Sequence, residues 1–263
     1  MTTPDPIESP NYVRALARGL SVMEALGGSL RGKTLSEVAQ VCSLDRATSR
    51  RLLLTLCELG YVRAEDSRFH LAPRALSLGY AYLSSFPFWE VARPIMTKVV
   101  DELRESCSAA TLDGPEAVYV ARIRSNHRVV DVLRTVGSRI PAYCTSLGRV
   151  LLAGEPPQLQ RSLLEKLPRT KFTPHTVTDL DQLMGILADV RAEGWALVNE
   201  ELEIGLRSLA VPVKDSAHRV VAALNISVSS GRSSADEMRR SYLLPLQKAA
   251  GELAAALIAR DDS

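Results

Sequence analysis

Apolar residues near the start of the chain recur with helical spacing in three short stretches separated by polar turns. The recurring positions are Leu16, Leu20 and Met23, then Leu35, Val38, Ala39 and Cys42, and then Leu53, Leu54 and Cys57. Each set lies on one face of a helix, because residues three or four apart are neighbours on a helix surface. Thr34 and Glu37 have the spacing of a capping box, which begins the second helix. Asp45 can cap the third helix after a turn at Ser43 and Leu44. The pattern predicts a helix-turn-helix at about residues 35–54.

A short polar segment at residues 64–67 separates two stretches with strand character. The stretches on either side, 61–63 and 68–71, each carry one arginine. Two such stretches around a polar turn are typical of a β-hairpin. Three helices followed by a basic hairpin predict a winged helix-turn-helix domain over residues 11–73.

Residues 74–87 follow the hairpin and predict a linker helix. Pro73 suits the first turn of a helix, and the segment is apolar on more than one side before a proline ends it. Leu76, Tyr80 and Leu83 recur at i, i+4 and i+7, which makes a stripe wide enough to pack against a second copy of itself. The segment therefore predicts a dimerisation helix; the alternative is that it packs on its own domain.

From residue 88 onward, helical and strand patterns are interspersed. Helices are predicted at residues 89–107, 146–153, 157–167, 179–193 and 235–259, and strands at 108–113, 117–123, 129–133, 196–199, 208–213 and 220–228. Few of these segments form the tight strand–helix–strand repeats of a parallel sheet. The pattern predicts a second domain over residues 88–263, of α+β class with a mainly antiparallel sheet.

The first two turns of the predicted third helix carry hydroxyl and guanidinium groups. Such groups at the N-terminal end of a recognition helix meet base edges and phosphates in the major groove. We expect base contacts from Arg46, Thr48, Ser49 and Arg50, and phosphate contacts from Arg51, Arg63 and Arg68. Residues 11–80 contain 10 basic and 6 acidic residues, a net of +4, whereas residues 81–263 contain 22 of each. A basic excess confined to one domain favours DNA binding there, and the alternative is a solvated cationic face.

Composition narrows the class of protein further. The chain has 263 residues, 46% of them hydrophobic, which is enough for the cores of two domains. No run of about 18 apolar residues occurs, so no membrane span is expected. Residues 1–10 lack the basic and apolar regions of a signal peptide and predict a disordered leader. The four cysteines have no metal-ligand spacing, so we expect free thiols in a cytoplasmic protein without a metal site.

One motif points to a different function. Residues 27–34, GGSLRGKT, fit the phosphate-loop pattern GxxxxGK[ST]. That loop works only between a buried strand and a helix, because backbone amides must surround the phosphates, and here residues 16–26 have helical periodicity. A nucleotide-binding switch or ATPase is the alternative function. Other enzymes are not indicated, because no dinucleotide fingerprint or nucleophile motif occurs; no catalytic residue or cofactor is expected.

Three long segments of the second domain resemble the IclR family of bacterial transcriptional regulators. They are SRIPAYCTSLGRVLLA at residues 138–153, GWALVNEELEIGLRSLAVPV at 194–213 and VAALNIS at 221–227. The resemblance covers nearly the whole chain and is greatest for the PcaR, PcaU and PobR branch, which controls aromatic-acid catabolism through the β-ketoadipate pathway. It implies a GAF/PAS-like effector domain, and a homodimer or dimer of dimers that binds double-stranded operator DNA and a small organic acid.

The resemblance also implies where the acid binds. The family's ligand pocket corresponds to Ser146, Leu147, Val198, Ser208, Asn225 and Ser227. Ser146 and Leu147 open a predicted helix, whose free amides and dipole favour a carboxylate. Tyr143, Arg134 and Arg139 are nearby in sequence and are further candidates for stacking on or pairing with an anion. The expected ligand is an aromatic or dicarboxylic acid, such as protocatechuate, 4-hydroxybenzoate or β-ketoadipate.

Overall fold

The computed structural model describes residues 11–85, 88–125, 134–166 and 168–261. The leader predicted at residues 1–10 and the strand predicted at 129–133 lie outside these ranges. The chain divides into two compact units, Met1–Ser84 and Ser85–Ser263.

The first unit combines three packed helices with a small sheet. Its elements are α1 (Arg14–Leu26), β1 (Lys33–Thr34), α2 (Leu35–Val41), α3 (Arg46–Glu58), β2 (Val62–Glu65), β3 (Arg68–Leu71) and α4 (Leu76–Ser85), with a 3-10 turn at Pro73–Ala75 before α4. The strands pair antiparallel in the order β1-β3-β2. Val22, Val38 and Leu53, from α1, α2 and α3, are fully buried in the core of this unit. The predicted winged helix-turn-helix is confirmed.

Side-chain caps define the turn between α2 and α3. The Thr34 hydroxyl accepts a hydrogen bond from the Glu37 amide at 3.3 Å, and the Glu37 carboxylate accepts one from the Thr34 amide at 2.6 Å. This is the predicted capping box. Ser43 adopts a φ of 54° after α2. Asp45 caps α3 by accepting a 2.8 Å bond from the Thr48 amide.

The second unit contains one six-stranded sheet with helices on both faces. Its elements are α5 (Phe88–Leu103), β4 (Ser106–Asp113), β5 (Glu116–Ile123), β6 (Arg139–Pro141), α6 (Ser146–Gly154), α7 (Pro157–Lys166), α8 (Leu180–Glu193), β7 (Ala196–Asn199), β8 (Leu206–Lys214), β9 (Val220–Ser229) and α9 (Ala235–Asp261). Neighbouring strands are antiparallel in the order β6-β5-β4-β9-β8-β7. The predicted α+β class with an antiparallel sheet is confirmed.

Alternate residues of the central strands point to opposite faces of this sheet. Leu209 and Leu224 pack with α5 and α9 in one core cluster. Ala210 and Ala223 face the opposite side, where they pack with α6 and α8. Their small side chains allow α6 to lie close against β8 and β9. The N-terminus of α6 therefore comes near the strands that carry the predicted pocket residues.

Three details differ from the sequence prediction. The helix predicted at residues 89–107 ends at Leu103, and Arg104, with a φ of 58°, turns the chain into β4. Strand β6 has no sequence signal, since three residues are too few to show a period. Leu54 of α3, predicted to face the core, is 41% exposed.

The cysteines are dispersed through both units as free thiols. Cys107 and Cys144 are buried, whereas Cys42 and Cys57 are half-buried. In the part of the chain that the structure describes, no group of three or more His, Cys, Asp or Glu side chains converges. Among the same residues, no helix combines the length and apolar character needed to cross a bilayer.

Candidate functional site

The N-terminal half of α3 presents an exposed cationic surface. Arg46 and Arg50 are exposed and four residues apart, so they share one face of the helix. Arg46 donates from Nη1 to the Ser36 hydroxyl of α2 at 3.4 Å, a contact that no sequence signal indicates. Thr48 and Arg51 lie on another face, where they line a groove beside α1. The predicted base and phosphate contacts are thus divided between two faces of α3.

Ser49 does not reach either surface. Its side chain is fully buried, and its hydroxyl donates to the Asp45 carbonyl at 2.9 Å. Leu53, four residues later, lies in the core, so Ser49 is on the inward face of α3. We therefore remove Ser49 from the predicted base contacts. The spacing to Leu53 is the sequence signal that excludes it.

Both arginines of the wing contact carboxylates. Arg63 pairs through Nη1 with Glu65 on the same strand. Arg68 donates from Nη1 to the Glu37 carboxylate at 3.4 Å, which ties the wing to the capping box. The bond from the Thr34 amide, more than the charge of Arg68, holds the pKa of Glu37 below its ordinary value of 4.5. A phosphate that contacts Arg68 would have to share it with Glu37.

The segment that resembles a phosphate loop has a structural role in this unit. It follows helix α1 rather than a buried strand, and Lys33 and Thr34 form β1. The Thr34 hydroxyl is engaged in the capping box. Gly32 has a φ of 66°, and a Cβ at this position would lie 2.6 Å from the His70 ring, so packing requires glycine here. The segment lacks the strand-to-helix geometry of a phosphate cradle, and the nucleotide-binding alternative has no support.

A cavity at the N-terminus of α6 brings together all six pocket residues that the resemblance implies. Its walls include Ser146, Leu147, Val198, Ser208, Asn225 and Ser227. Val198 pairs with Ser208, and Ser208 pairs with Ser227, so these three side chains form a row across β7, β8 and β9. Asn225 lies two residues before Ser227 and therefore points to the same face.

Two buried polar atoms of this cavity are unpaired. Ser146 and Asn225 are 1% and 4% exposed. Within the described residues, Ser146 Oγ and Asn225 Oδ1 have no hydrogen-bond partner. In the first turn of α6 the Gly148 amide is capped by Thr145 Oγ1 at 3.3 Å. The amides of Ser146 and Leu147 have no intrahelical acceptor, and no side chain among the described residues caps them. The Ser146 hydroxyl and the helix amides are donors, so this end of the cavity is suited to a carboxylate. Asn225 Oδ1 is an acceptor and is suited to a donor such as a ligand hydroxyl.

Arg134 also lines this cavity, as predicted from its proximity in sequence. Its side chain is 16% exposed, and its Nη2 lies 3.6 Å from Glu203 Oε2. The carboxylate of Glu203, 47% exposed, belongs to the short segment between β7 and β8 and lines the cavity as well. A guanidinium and a carboxylate therefore face each other in the wall of the cavity.

Tyr143 and Arg139 do not contribute to the cavity wall, contrary to the prediction. The Tyr143 hydroxyl donates to the Thr170 carbonyl at 2.5 Å, which keeps the ring in the core. Burial raises the pKa of Tyr143. Arg139 lies on β6, where it forms ion pairs with Asp113 at 2.7 Å and Glu116 at 2.8 Å. Proximity in sequence is misleading here because the chain turns between these residues and α6.

Other cavity residues have no sequence signal. They are Tyr119, Ile140, Cys144, Thr145, Leu202, Glu203 and Leu206. Tyr119 and Ile140 come from β5 and β6, and their approach to α6 depends on sheet register, which local periodicity cannot reveal. Burial, more than the charge of Glu201, raises the pKa of Cys144 to about 12, so its thiol is a neutral part of the wall.

A buried ion pair connects α6 with the segment after β7. Both Arg149 Nη atoms lie 2.7 Å from a Glu201 carboxylate oxygen, and the side chains are 4% and 8% exposed. Arg149 Nε also donates to the Tyr143 carbonyl at 2.8 Å. The Glu201 carboxylate accepts a further bond from the Val177 amide at 3.1 Å. This bidentate pair holds one end of the cavity wall in a fixed geometry.

The first unit exposes apolar side chains on α1 and α4. Leu16 of α1 is 63% exposed, and Leu76 and Tyr80 of α4 are 76% and 73% exposed. A groove of about 610 Å³ beside them is lined by further apolar residues, among them Leu20, Met23, Leu52, Leu59 and Leu78. Leu83, the third residue of the predicted stripe, is half-buried. Contiguous exposed apolar surface of this kind is typical of an interaction site.

Both units match the same known protein family. Residues 15–66 match the IclR helix-turn-helix domain. Residues 80–255 match the domain described as bacterial transcriptional regulator IclR, C-terminal. The two matches together include the helix-turn-helix and the cavity described above.

Similar proteins and structures agree with these matches. The chain is 39% identical to the Pca regulon regulatory protein of Pseudomonas putida over 244 residues, 93% of this chain and 84% of that protein. It is 33% identical to the p-hydroxybenzoate hydroxylase transcriptional activator of Acinetobacter baylyi over 251 residues, 94% of this chain and 93% of that protein. A crystal structure of an IclR homolog complexed with 4-hydroxybenzoate, from Microbacterium hydrocarbonoxydans, matches with a TM-score of 0.79 at 26% identity, covering 93% of this chain and 99% of that one.

Proposed function

The chain belongs to the IclR family of bacterial transcriptional regulators, and we propose that it controls genes of aromatic-acid catabolism in response to a small organic acid. It is a DNA-binding regulator with an effector-binding domain, and its relatives are regulators rather than enzymes. One relative is named for p-hydroxybenzoate hydroxylase, and a structural relative contains 4-hydroxybenzoate. The single observation that carries the proposal is the cavity at the N-terminus of α6, with its unpaired buried polar atoms.

In the proposed complex, the carboxylate of the acid lies at the first turn of α6. The amides of Ser146 and Leu147 would donate to it, and the helix dipole favours the negative charge. Ser208, Asn225 and Ser227 supply further hydrogen bonds from the sheet. Val198 adds an apolar wall against which a ring or an alkyl chain can pack.

Calorimetry of the full chain with protocatechuate, 4-hydroxybenzoate and β-ketoadipate tests the site. We expect one of these acids to bind, and we expect Asn225→Leu to weaken that binding by one to two orders of magnitude. Loss of a hydrogen bond to a charged ligand costs about 1.5–3 kcal/mol. Asn199→Leu, on the exposed end of β7 outside the cavity wall, is the matched control and should bind normally. Failure of all three acids to bind, or wild-type affinity of Asn225→Leu, would refute the assignment.

Regulation requires that the acid bind the two DNA-affinity states unequally, because equal affinity shifts no equilibrium. Repeating the calorimetry with operator DNA present measures this coupling directly. A change in acid affinity corresponding to about 1–3 kcal/mol would be ordinary for such a regulator. An acid affinity that does not depend on operator would mean that the cavity is not the effector site.

We propose that α3 reads operator DNA in the major groove. Arg46 and Arg50, which share one exposed face, would contact bases. Thr48 and Arg51 on the other face, with Arg63 and Arg68 of the wing, would contact phosphates. Arg50→Ala should cost about 1–3 kcal/mol of binding free energy and relax specificity at one base pair. Arg68→Ala should weaken all sequences alike and reduce the salt dependence. Fluorescence anisotropy with operator and scrambled DNA tests these contacts, and wild-type affinity of both variants would contradict them.

A protein that acts on bacterial DNA is proposed to be cytoplasmic.

We propose that the exposed stripe of α4 forms a homodimer, which the half-sites of an inverted repeat would match. Leu76 is 76% exposed, so Leu76→Lys should leave the fold of one chain intact. In the dimer it would bury an unpaired charge and should give monomers with much weaker operator binding. Leu30→Lys, in a loop at a fully exposed residue, is the control. Sedimentation of Leu76→Lys at the wild-type oligomer mass would reject this interface.

A further inference from the structure

The ion pair of Arg134 and Glu203 lies on the more exposed side of the cavity at the N-terminus of α6. Arg134 is 16% exposed and Glu203 47%, whereas Ser146 and Asn225 at the inner end are 1% and 4% exposed. All four residues line the same cavity. One end of the cavity, at the helix, is therefore suited to an anion. The other end has a cation, Arg134, which already has a carboxylate partner at 3.6 Å.

In this structure the cavity is too small for an organic acid. Its volume is about 20 Å³, and a single water requires about 10–15 Å³ by the same measure. A ligand with several carbon atoms can enter only if part of the wall moves outward. The helix and the strands are fixed by the core, so the wall that moves must be one that is anchored weakly.

Glu203 and Ile204 form the part of this wall segment best placed to move, because Leu202 before them packs against the core. The Glu201 carbonyl accepts a 2.5 Å bond from the Thr176 hydroxyl, and its carboxylate is held by α6. At the other end, the Gly205 carbonyl accepts a 2.8 Å bond from the Ser230 amide. Between these anchors Ile204 is 58% exposed. The side chain of Glu203 is tied to the rest of the cavity wall by its contact with Arg134.

We propose that Glu203 is an internal competitor for the ligand and that the cavity is selective for dicarboxylates. This inference rests on the proposed function, because it requires an acid to bind at α6. One carboxylate of the ligand occupies the first turn of α6, and the second replaces Glu203 on Arg134. Arg134 exchanges one carboxylate for another and stays paired, while Glu203, already half-exposed, returns to water at little desolvation cost. The segment that carries it then moves outward and makes room.

The charge at the far end of the ligand decides whether this exchange occurs. A monocarboxylate of the same length offers Arg134 no negative charge, so it cannot replace the ion pair with Glu203. Because the wall has to move to admit it as well, it leaves both charges unpaired. Neutralising Glu203 removes the pair that either acid has to break and should tighten the binding of both, whereas the preference for a dicarboxylate depends on Arg134.

Calorimetry with adipate and hexanoate, a dicarboxylate and a monocarboxylate with equal numbers of carbon atoms, tests the proposal. We expect wild-type protein to prefer adipate. Glu203→Gln keeps the shape of the side chain and removes its charge, and should tighten adipate binding about three- to tenfold, as expected for a partly buried ion pair. Hexanoate has to break the same ion pair, so its affinity should rise by a similar factor while the preference for adipate stays. Arg134→Gln should abolish the preference for adipate.

Glu116→Gln is the matched control, because it removes a carboxylate that pairs with Arg139 at 2.8 Å outside the cavity wall. It should leave both affinities unchanged. If Glu203→Gln leaves adipate affinity unchanged or weakens it, the competitor role is refuted while the proposed function stands. A preference for adipate that survives Arg134→Gln refutes the selectivity. If neither acid nor the three acids named above bind to wild-type protein, both proposals fall together.

Discussion

The buried pair of Arg149 and Glu201 provides a quantitative test of how the cavity is held in place. Arg149→Met removes the cation and keeps most of the side-chain volume. It leaves the Glu201 carboxylate, 8% exposed, with the Val177 amide as its remaining partner in the described structure. Breaking a buried pair by removing one partner typically costs about 3–5 kcal/mol, because an uncompensated charge stays out of water. We expect a loss of this size in the free energy of unfolding.

Urea unfolding followed by tryptophan fluorescence measures this loss in the second unit alone. The chain has two tryptophans, Trp89 and Trp195, and both lie in this unit. A slope of about 1–3 kcal/mol per molar urea means that the midpoint should fall by at least about 1 M. The double variant Arg149→Met with Glu201→Leu should recover much of the loss, because no buried charge then remains unpaired.

The exposed pair of Arg161 and Asp181 is the matched control. Its atoms are separated by 2.9 Å, similar to the buried pair, but the side chains are 47% and 83% exposed. Exposed ion pairs contribute less than about 1 kcal/mol, so Arg161→Met should move the midpoint only slightly. Equal midpoints for Arg149→Met and Arg161→Met would show that burial does not determine how much an ion pair contributes to the free energy of unfolding. That result would refute the expected loss for Arg149→Met.

Three further predictions concern single positions. In Gly148→Ala the new Cβ would lie 2.2 Å from the Ala142 Cα, so this variant should lose about 1–3 kcal/mol or more and bind acids poorly, whereas Gly185→Ala, with open space around it, should not be destabilised. The folded-state pKa of Glu37 is lowered by its capping bond, so its contribution to stability is complete above pH 4.5 and is lost as the pH falls through that lower pKa. Circular dichroism of urea unfolding at about pH 5 and about pH 3 should show this loss, and Glu37→Gln should show less of it. Asn225→Leu loses the 3.2 Å bond from Asn225 Nδ2 to the Ser227 hydroxyl, but removal of the unpaired Oδ1 offsets this loss. The urea midpoint of the second unit should therefore stay unchanged or rise, and a lower midpoint would contradict our reading of the unpaired oxygen.

Helix caps and helix faces are predictable from this sequence, because they depend only on residues a few positions apart. Thr34 and Asp45 cap α2 and α3 because their side chains bond to amides three residues later, which needs no knowledge of the rest of the fold. Asp179 has the same role at α8, where the helix begins within one residue of its predicted start. Ser49 could also have been assigned correctly, since its spacing to Leu53 indicates the inward face.

Contacts between distant segments are not predictable in this way. Arg149 and Glu201 are separated by 52 positions, and neither has a local pattern that indicates its partner. Arg134 and Glu203 are also distant in sequence. They meet only after the sheet has brought the segment between β7 and β8 beside the cavity. The six pocket residues were identified by resemblance to a family, and the strand register supplies the physical reason that they converge.

The unpaired atoms of the cavity explain why stability and function make opposite demands on the same residues. A buried polar atom without a partner costs about 1–3 kcal/mol, so Ser146 Oγ and Asn225 Oδ1 destabilise the folded chain in the absence of a ligand. Apolar residues at these positions would remove that cost, as the prediction for Asn225→Leu states. An acid whose carboxylate accepts from Ser146 Oγ and whose hydroxyl donates to Asn225 Oδ1 recovers the same free energy as binding affinity. The residues are therefore understood better as a binding site than as part of the core, although they are as deeply buried as the core itself.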